Sequence, residues 1–80
     1  MELRTVATFL RVAELQSFSR AAEQLGYSQA AVTVQVKQLE QELGAPLFER
    51  IGRRIQLTEE GTRFIPAAME LLKAAHKAKA

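Results

Sequence analysis

The chain has 80 residues, 48% hydrophobic and 25% charged, without cysteine or tryptophan, which allows one small domain and excludes a disulfide or cysteine-bound zinc site. Its apolar runs fall far short of the ~20 residues that span a bilayer, and Met1-Glu2-Leu3-Arg4 lacks the basic start and apolar core of a signal peptide, so a reducing cytoplasm is expected. Eleven Lys and Arg against nine Asp and Glu leave a net charge of +2, with Arg50, Arg53 and Arg54 crowded together, an arrangement that faces a polyanion or merely solvates a turn.

Leu3–Leu15 reads as a first helix. Leu3, Val6, Phe9, Leu10 and Ala13 recur at three- and four-residue spacings and make one apolar face, with Arg4, Arg11 and Glu14 off it. Gln16-Ser17 breaks the run, and Ser17 or Ser19 can cap a short second helix, Phe18–Leu25, by accepting from an exposed backbone N–H. Phe18, Ala21, Ala22 and Leu25 are its inward residues, and Gly26 ends it in a left-handed conformation. Tyr27, in the turn, can pack or reach a phosphate.

Ser28 caps a third helix, Gln29 to about Leu43, stopped by Gly44 and Pro46. Val32, Val36, Leu39 and Leu43 form a narrow apolar stripe, and the opposite face carries Gln29, Thr33, Gln35, Lys37, Gln38 and Gln41. Such side chains reach base edges and phosphates in a major groove, or form an ordinary solvated surface. A short helix, a tight turn at Gly26 and a longer helix with a polar outer face match a helix-turn-helix, although a plain αα-corner has the same spacing.

After Gly44 the period changes. Leu47–Arg50 and Ile55–Leu57 read as two short strands joined by Ile51-Gly52-Arg53-Arg54, a hairpin wing over about 47–57 with a basic tip. Arginines at such a tip enter a minor groove or clamp phosphate, or else simply block further pairing at a strand edge. Thr58 caps a last helix, where Glu59 and Glu60 suit the positive end of the dipole and Lys73, Lys77 and Lys79 the negative end. Pro66 is expected to kink it. Its stripe of Phe64, Ile65, Ala68, Leu71, Leu72 and Ala75 is longer than the small core can cover, and no Gly or Pro stops it. A second copy of the chain is the nearest partner for that stripe.

Catalysis is poorly supplied. The only histidine, His76, stands near the C-terminal end, and the pairs Glu40/Glu42 and Glu59/Glu60 do not face each other on a helix. The four glycines are isolated, so there is no phosphate loop. No enzyme, metal or cofactor is expected. Phe9, Phe18, Phe48 and Phe64 sit on apolar stripes and read as core, and Met69 as core or interface.

Taken in order, Ala21-Ala22, Leu25, Ser28-Gln29, Leu39-Glu40, Leu43-Gly44, Leu47-Phe48-x-Arg50, Arg54 and Leu57-Thr58-x-x-Gly61 resemble the N-terminal domain of LysR-type transcriptional regulators. Phe9, Val12-Ala13-Glu14 and Ser17-Phe18 extend the match over nearly the whole chain. The resemblance implies a mainly α fold: a winged helix-turn-helix of three helices and a two-stranded wing over 1–58, then a long dimerisation or linker helix over 59–80 that runs off the end of the chain. It also implies a C-terminal ligand-sensing domain outside this chain, where a small-molecule effector would bind.

By position, the resemblance places Ser28, Gln29 and Thr33 at the DNA-facing start of the recognition helix, Lys37 beside a phosphate, and Arg50, Arg53 and Arg54 on the wing side. Ala30 stands where the family commonly has proline, and Val34 where it often has arginine or another polar residue. Both stay among the candidate DNA contacts, a valine offering contact to a thymine methyl but no hydrogen bond. Phe64, Ala68, Leu71, Leu72 and Ala75 are the candidate dimer contacts. The implied function is sequence-specific binding of double-stranded operator DNA, as a homodimer, in bacterial transcription control. Two other classes stand beside it: a winged helix used only for protein interaction or dimerisation, and an architectural protein that binds DNA without sequence preference.

Overall fold

In the computed structural model, which describes residues 1–79, the chain runs α1 Leu3–Leu15, α2 Phe18–Leu25, α3 Gln29–Leu43, β1 Phe48–Ile51, β2 Arg54–Leu57 and α4 Glu59–Lys79. The last position of the expected 59–80 helix lies outside the described residues. These are the mainly α winged helix-turn-helix elements that the sequence predicts.

Most helix ends fall where a side chain or glycine satisfies orphaned backbone groups. Ser17 Oγ accepts from the Arg20 N–H and Ser28 Oγ from the Ala31 N–H, both at 3.1 Å. Ser19 makes no cap, and its hydroxyl bonds that of Ser17 instead. Gly26 and Gly44, both at φ +75°, close α2 and α3 in the left-handed region. At the end of α1 there is no glycine: Gln16 itself takes φ 54°, with its N–H on the Val12 carbonyl at 2.7 Å.

Two clusters make the core. Val6, Phe9, Leu39, Leu47 and Ala68 form one, and Val12, Ala21, Ala22, Val32 and Val36 the other. Phe48 packs against both, its ring 5.4 Å from Phe9 and 5.6 Å from Phe18, while Phe9 is also 5.4 Å from Phe64. The four phenylalanines thus tie the helices to the wing.

The burial pattern departs from the expected stripes in three places. Leu3 and Leu43 are exposed, at the first residue of α1 and the last of α3. Val12, Thr5 and Thr8 are buried, because α1 is central and packs on α2, α3 and α4 at once. Gln35, expected on the polar face, is half-buried instead: its Oε1 accepts from the Thr8 hydroxyl at 2.6 Å. Thr5 donates to the Glu2 carbonyl at 2.8 Å, so both buried threonine hydroxyls are satisfied.

The hairpin is tighter than expected. Its antiparallel register pairs Phe48 with Leu57, Glu49 with Gln56, Arg50 with Ile55 and Ile51 with Arg54. Ile51 and Arg54 therefore belong to the ladder, and only Gly52-Arg53 connects the strands. Gly52 makes this possible at φ +63°, the positive value that a two-residue turn requires. Leu47, expected at the start of the first strand, lies outside the ladder and is buried in the core.

Side chains distant in sequence hold the joint between α3, the hairpin and α4. The Leu47 N–H donates to Glu40 Oε2 at 2.7 Å, and the Thr58 N–H to the Leu47 carbonyl at 3.0 Å. Thr58 Oγ1 donates to the Pro46 carbonyl at 2.6 Å and accepts from the Gly61 N–H at 2.9 Å, which makes it the cap of α4. At Gly61 the two segments touch directly: a Cβ there would run into the Leu47 carbonyl oxygen. From that joint α4 lies along α1 and passes through Pro66 without ending.

Candidate nucleic-acid interface

On α3, Val32, Val36 and Leu39 are buried and Gln35 half-buried, and successive residues turn by about 100°. Ala30, Val34, Lys37 and Gln41 therefore follow the line farthest from the core, and all four are exposed. Gln29, Thr33 and Lys37 turn toward the hairpin. With Phe18, Val36, Glu40, Phe48, Glu49, Arg50 and Ile55 they line a groove of about 220 Å³ between helix and wing.

The structure brings Gln29, Thr33, Lys37 and Arg50 together in that groove, and the expected contact residues as a whole stand in three settings. Ser28 stands at the N-terminal edge, where its hydroxyl oxygen serves the Ala31 N–H. Gln29, Ala30, Thr33, Val34 and Lys37 form the open face of α3. Arg50, Arg53 and Arg54 are exposed on the hairpin, Arg53 at its turn and the other two in the ladder. Tyr27 is exposed in the turn before α3.

Among the described residues the ion pairs are the N-terminal ammonium with Glu42, at 3.0 Å, and Arg11 with Glu14, at 2.8 Å. Lys37, Arg50, Arg53 and Arg54 have no carboxylate partner, so their charge is open to an incoming polyanion. The acidic groups of the groove are already engaged. Glu40 accepts from the Leu47 N–H, and Glu49 accepts from Gln56 Nε2 at 3.4 Å. Glu40 was not legible as part of this site, because its partner lies across the turn that ends α3. The one available signal was its place one turn before Gly44.

The residues expected to pair two copies divide between inside and outside. Phe64 is half-buried beside Phe9, and Ala68 is fully buried in the core, so Ala68 has no surface to give a partner. The reason is that α1 covers the first half of α4. Leu72 and Ala75 are half-buried, and Leu71 is 40% exposed. Met69 is 58% exposed and borders an apolar groove of about 560 Å³ lined by Ala7, Leu10, Ala13, Leu57, Ile65 and Leu72, with Arg11 and Glu14 at its margin. Among the described residues no helix is long and apolar enough to cross a membrane.

The model of the bacterial regulatory helix-turn-helix proteins of the lysR family matches residues 3–62. The chain is 44% identical over 79 residues to the uncharacterized HTH-type transcriptional regulator YwqM of Bacillus subtilis, covering 99% of the chain and 27% of that protein. It is 47% identical over 72 residues to the HTH-type transcriptional regulator CitR of Bacillus subtilis, covering 90% and 25%. The chain therefore spans about a quarter of the length of these relatives. Among solved structures it superposes on the CbnR DBD–DNA complex with a TM-score of 0.92 at 38% identity, covering 99% of the chain and 91% of that one. The BenM DBD complex with catB site 1 DNA gives a TM-score of 0.89 at 40% identity, covering 98% and 84%.

Proposed function

Because the chain belongs to the LysR family of bacterial regulatory helix-turn-helix proteins, we propose that it binds double-stranded operator DNA sequence-specifically, as a dimer, within a cytoplasmic regulator of transcription. Residues 1–58 are the DNA-binding unit in this reading, and α4 is the linker that pairs two copies through its exposed flank. The carrying observation is that Gln29, Thr33 and Lys37 of the open face of α3 line one groove with Arg50 of the hairpin, and that neither Lys37 nor Arg50 has a carboxylate partner among the described residues.

In this reading α3 enters the major groove with its N-terminal end foremost. Gln29, one residue beyond the Ser28 cap, is the principal base reader, since a glutamine amide bonds adenine through two hydrogen bonds. Thr33 and Lys37 follow along the groove, Lys37 reaching phosphate. The hairpin lies to the side, where Arg53 and its neighbours contact phosphates or the flanking minor groove. The chain supplies no reaction, and any effector would act through parts of the protein beyond it.

Selection from a random DNA pool, followed by binding curves at several salt concentrations, tests the proposal. A preferred duplex is expected, with affinity that falls as salt rises. Gln29→Ala should cost about 1–3 kcal/mol of discrimination at one position of each half-site. Equal affinity for selected and scrambled DNA would reassign the chain to non-specific architectural binding. Absence of any salt-dependent DNA affinity would leave only a protein-interaction role.

A further inference from the structure

The line of α3 farthest from the core is apolar near its start. Ala30 and Val34 stand one turn apart there, and Val34 keeps 54% of its surface exposed. The fold offers no reason for valine at this position. Val34 belongs to neither core cluster, and a β-branched residue on an open helix face is less favourable than alanine, lysine or glutamine. Its flank carries Gln29, Thr33 and Lys37, which line a groove with Arg50 of the hairpin, and neither Lys37 nor Arg50 has a carboxylate partner among the described residues. The result is a small apolar island, about the size of a methyl contact, on a surface suited to a polyanion. Two small side chains are far too little for a protein interface, which buries roughly 800 Å² on each partner. They do match the one apolar group that B-DNA presents in its major groove, the C5-methyl of thymine. 5-Methylcytosine carries the same group at the same ring position.

We propose that Val34, backed by Ala30, reads a pyrimidine C5-methyl group, so that it favours thymine over cytosine at one position of each half-site and accepts 5-methylcytosine in place of thymine. The inference rests on α3 entering the major groove and adds the group that it reads there. The contact is apolar: the methyl and the valine side chain exclude water from each other, and no hydrogen bond changes hands.

In a duplex selected from random DNA, each thymine is replaced singly by deoxyuridine, which removes only the methyl group. At one position the affinity of the unmodified chain should fall about fourfold, equivalent to ~0.8 kcal/mol for one methyl-sized group, and about fifteenfold with both half-sites substituted. Changing that T·A pair to C·G should weaken binding by about the same fourfold, and 5-methylcytosine should recover it. Val34→Ala keeps a good helix former at the site, and it should bind the thymine and deoxyuridine duplexes within about 1.5-fold of each other. If no thymine is sensitive, or if the deoxyuridine loss persists in Val34→Ala, the methyl reading is overturned while selective DNA binding stands. A chain that enriches no DNA at all overturns both.

Discussion

The face made by α3 and the hairpin and the face made by α1 and α4 are both open to solvent, yet their chemistry is opposed. The first carries amides, a hydroxyl and the unpaired Lys37 and Arg50 around a groove, with Arg53 and Arg54 exposed farther along the hairpin. The second carries Met69 and an apolar groove along α1, with Leu71 exposed on the other flank of α4. Charge holds a polyanion and is screened by salt, whereas apolar burial is not. The two faces should therefore separate in solution: raising salt should release DNA and leave any pairing of two copies intact.

Leu71→Glu tests pairing through α4 and should have the largest effect. Leu71 lies outside both core clusters, so the variant should fold, but it places a charge where two α4 helices would meet. Sedimentation at micromolar concentration should show a monomer where the unmodified chain is a dimer. Affinity for a duplex with two half-sites should drop about 100-fold or more, because binding becomes monovalent. An unmodified chain that is already monomeric would remove the pairing role from α4.

Next in size is Gly61→Ala, which strikes the joint between the two regions. Its Cβ would collide with the Leu47 carbonyl oxygen and crowd Leu57 Cδ2 at 2.9 Å, and backbone on both sides leaves little room to yield. A loss of about 3 kcal/mol is expected, seen as a fall of about 10–20 °C in Tm. An unchanged Tm would mean that α4 can tilt away from the hairpin at little cost.

Helix boundaries were legible in the sequence because local chemistry decides them: Ser17, Ser28, Gly26 and Gly44 each act on backbone groups within a few residues. What was illegible depends on crossings. Leu43 continues the apolar stripe of α3 yet is exposed in its last turn, and Gln35 turns inward because a threonine on α1 meets it. Phe64 and Ala68 fit a dimer stripe equally well on periodicity alone, until α1 is seen to cover them. The hairpin was placed correctly but drawn too loose, since a two-residue turn depends on the φ of Gly52. For the residues expected to face DNA, the pattern identified an open polar helix face, and the structure adds that Glu49 and Arg50 of the hairpin line the groove beside it.

Arg53→Ala probes the first face without touching the second. Arg53 sits at the hairpin turn, exposed and unpaired, so its loss should leave stability within about 0.5 kcal/mol. A dimer presents it twice, and each phosphate contact contributes about 0.9 to the slope of log affinity against log salt. The slope should shrink by about 1.8, with equal affinity losses on selected and scrambled DNA. An unaltered slope would make Arg53 a solvated edge charge.

The smallest expected effect comes from the buried pair beneath α3. Thr8 is 1% exposed, and its hydroxyl donates to Gln35 Oε1 at 2.6 Å, so Thr8→Val keeps the shape and deletes the donor. The half-buried amide oxygen then loses its partner, which should cost about 1 kcal/mol in a denaturant melt. Re-aiming of α3 is not expected, because Val32, Val36 and Leu39 anchor the same side of the helix. The ratio of affinities for selected and scrambled DNA should therefore stay constant. Adding Gln35→Leu removes the stranded acceptor as well, and the double variant should regain most of the lost stability, since replacing both members of a buried polar pair by apolar groups of similar shape is nearly neutral. Additive losses would show that Gln35 does more than answer Thr8. A falling affinity ratio would show that this one hydrogen bond also sets the angle at which the polar face is presented.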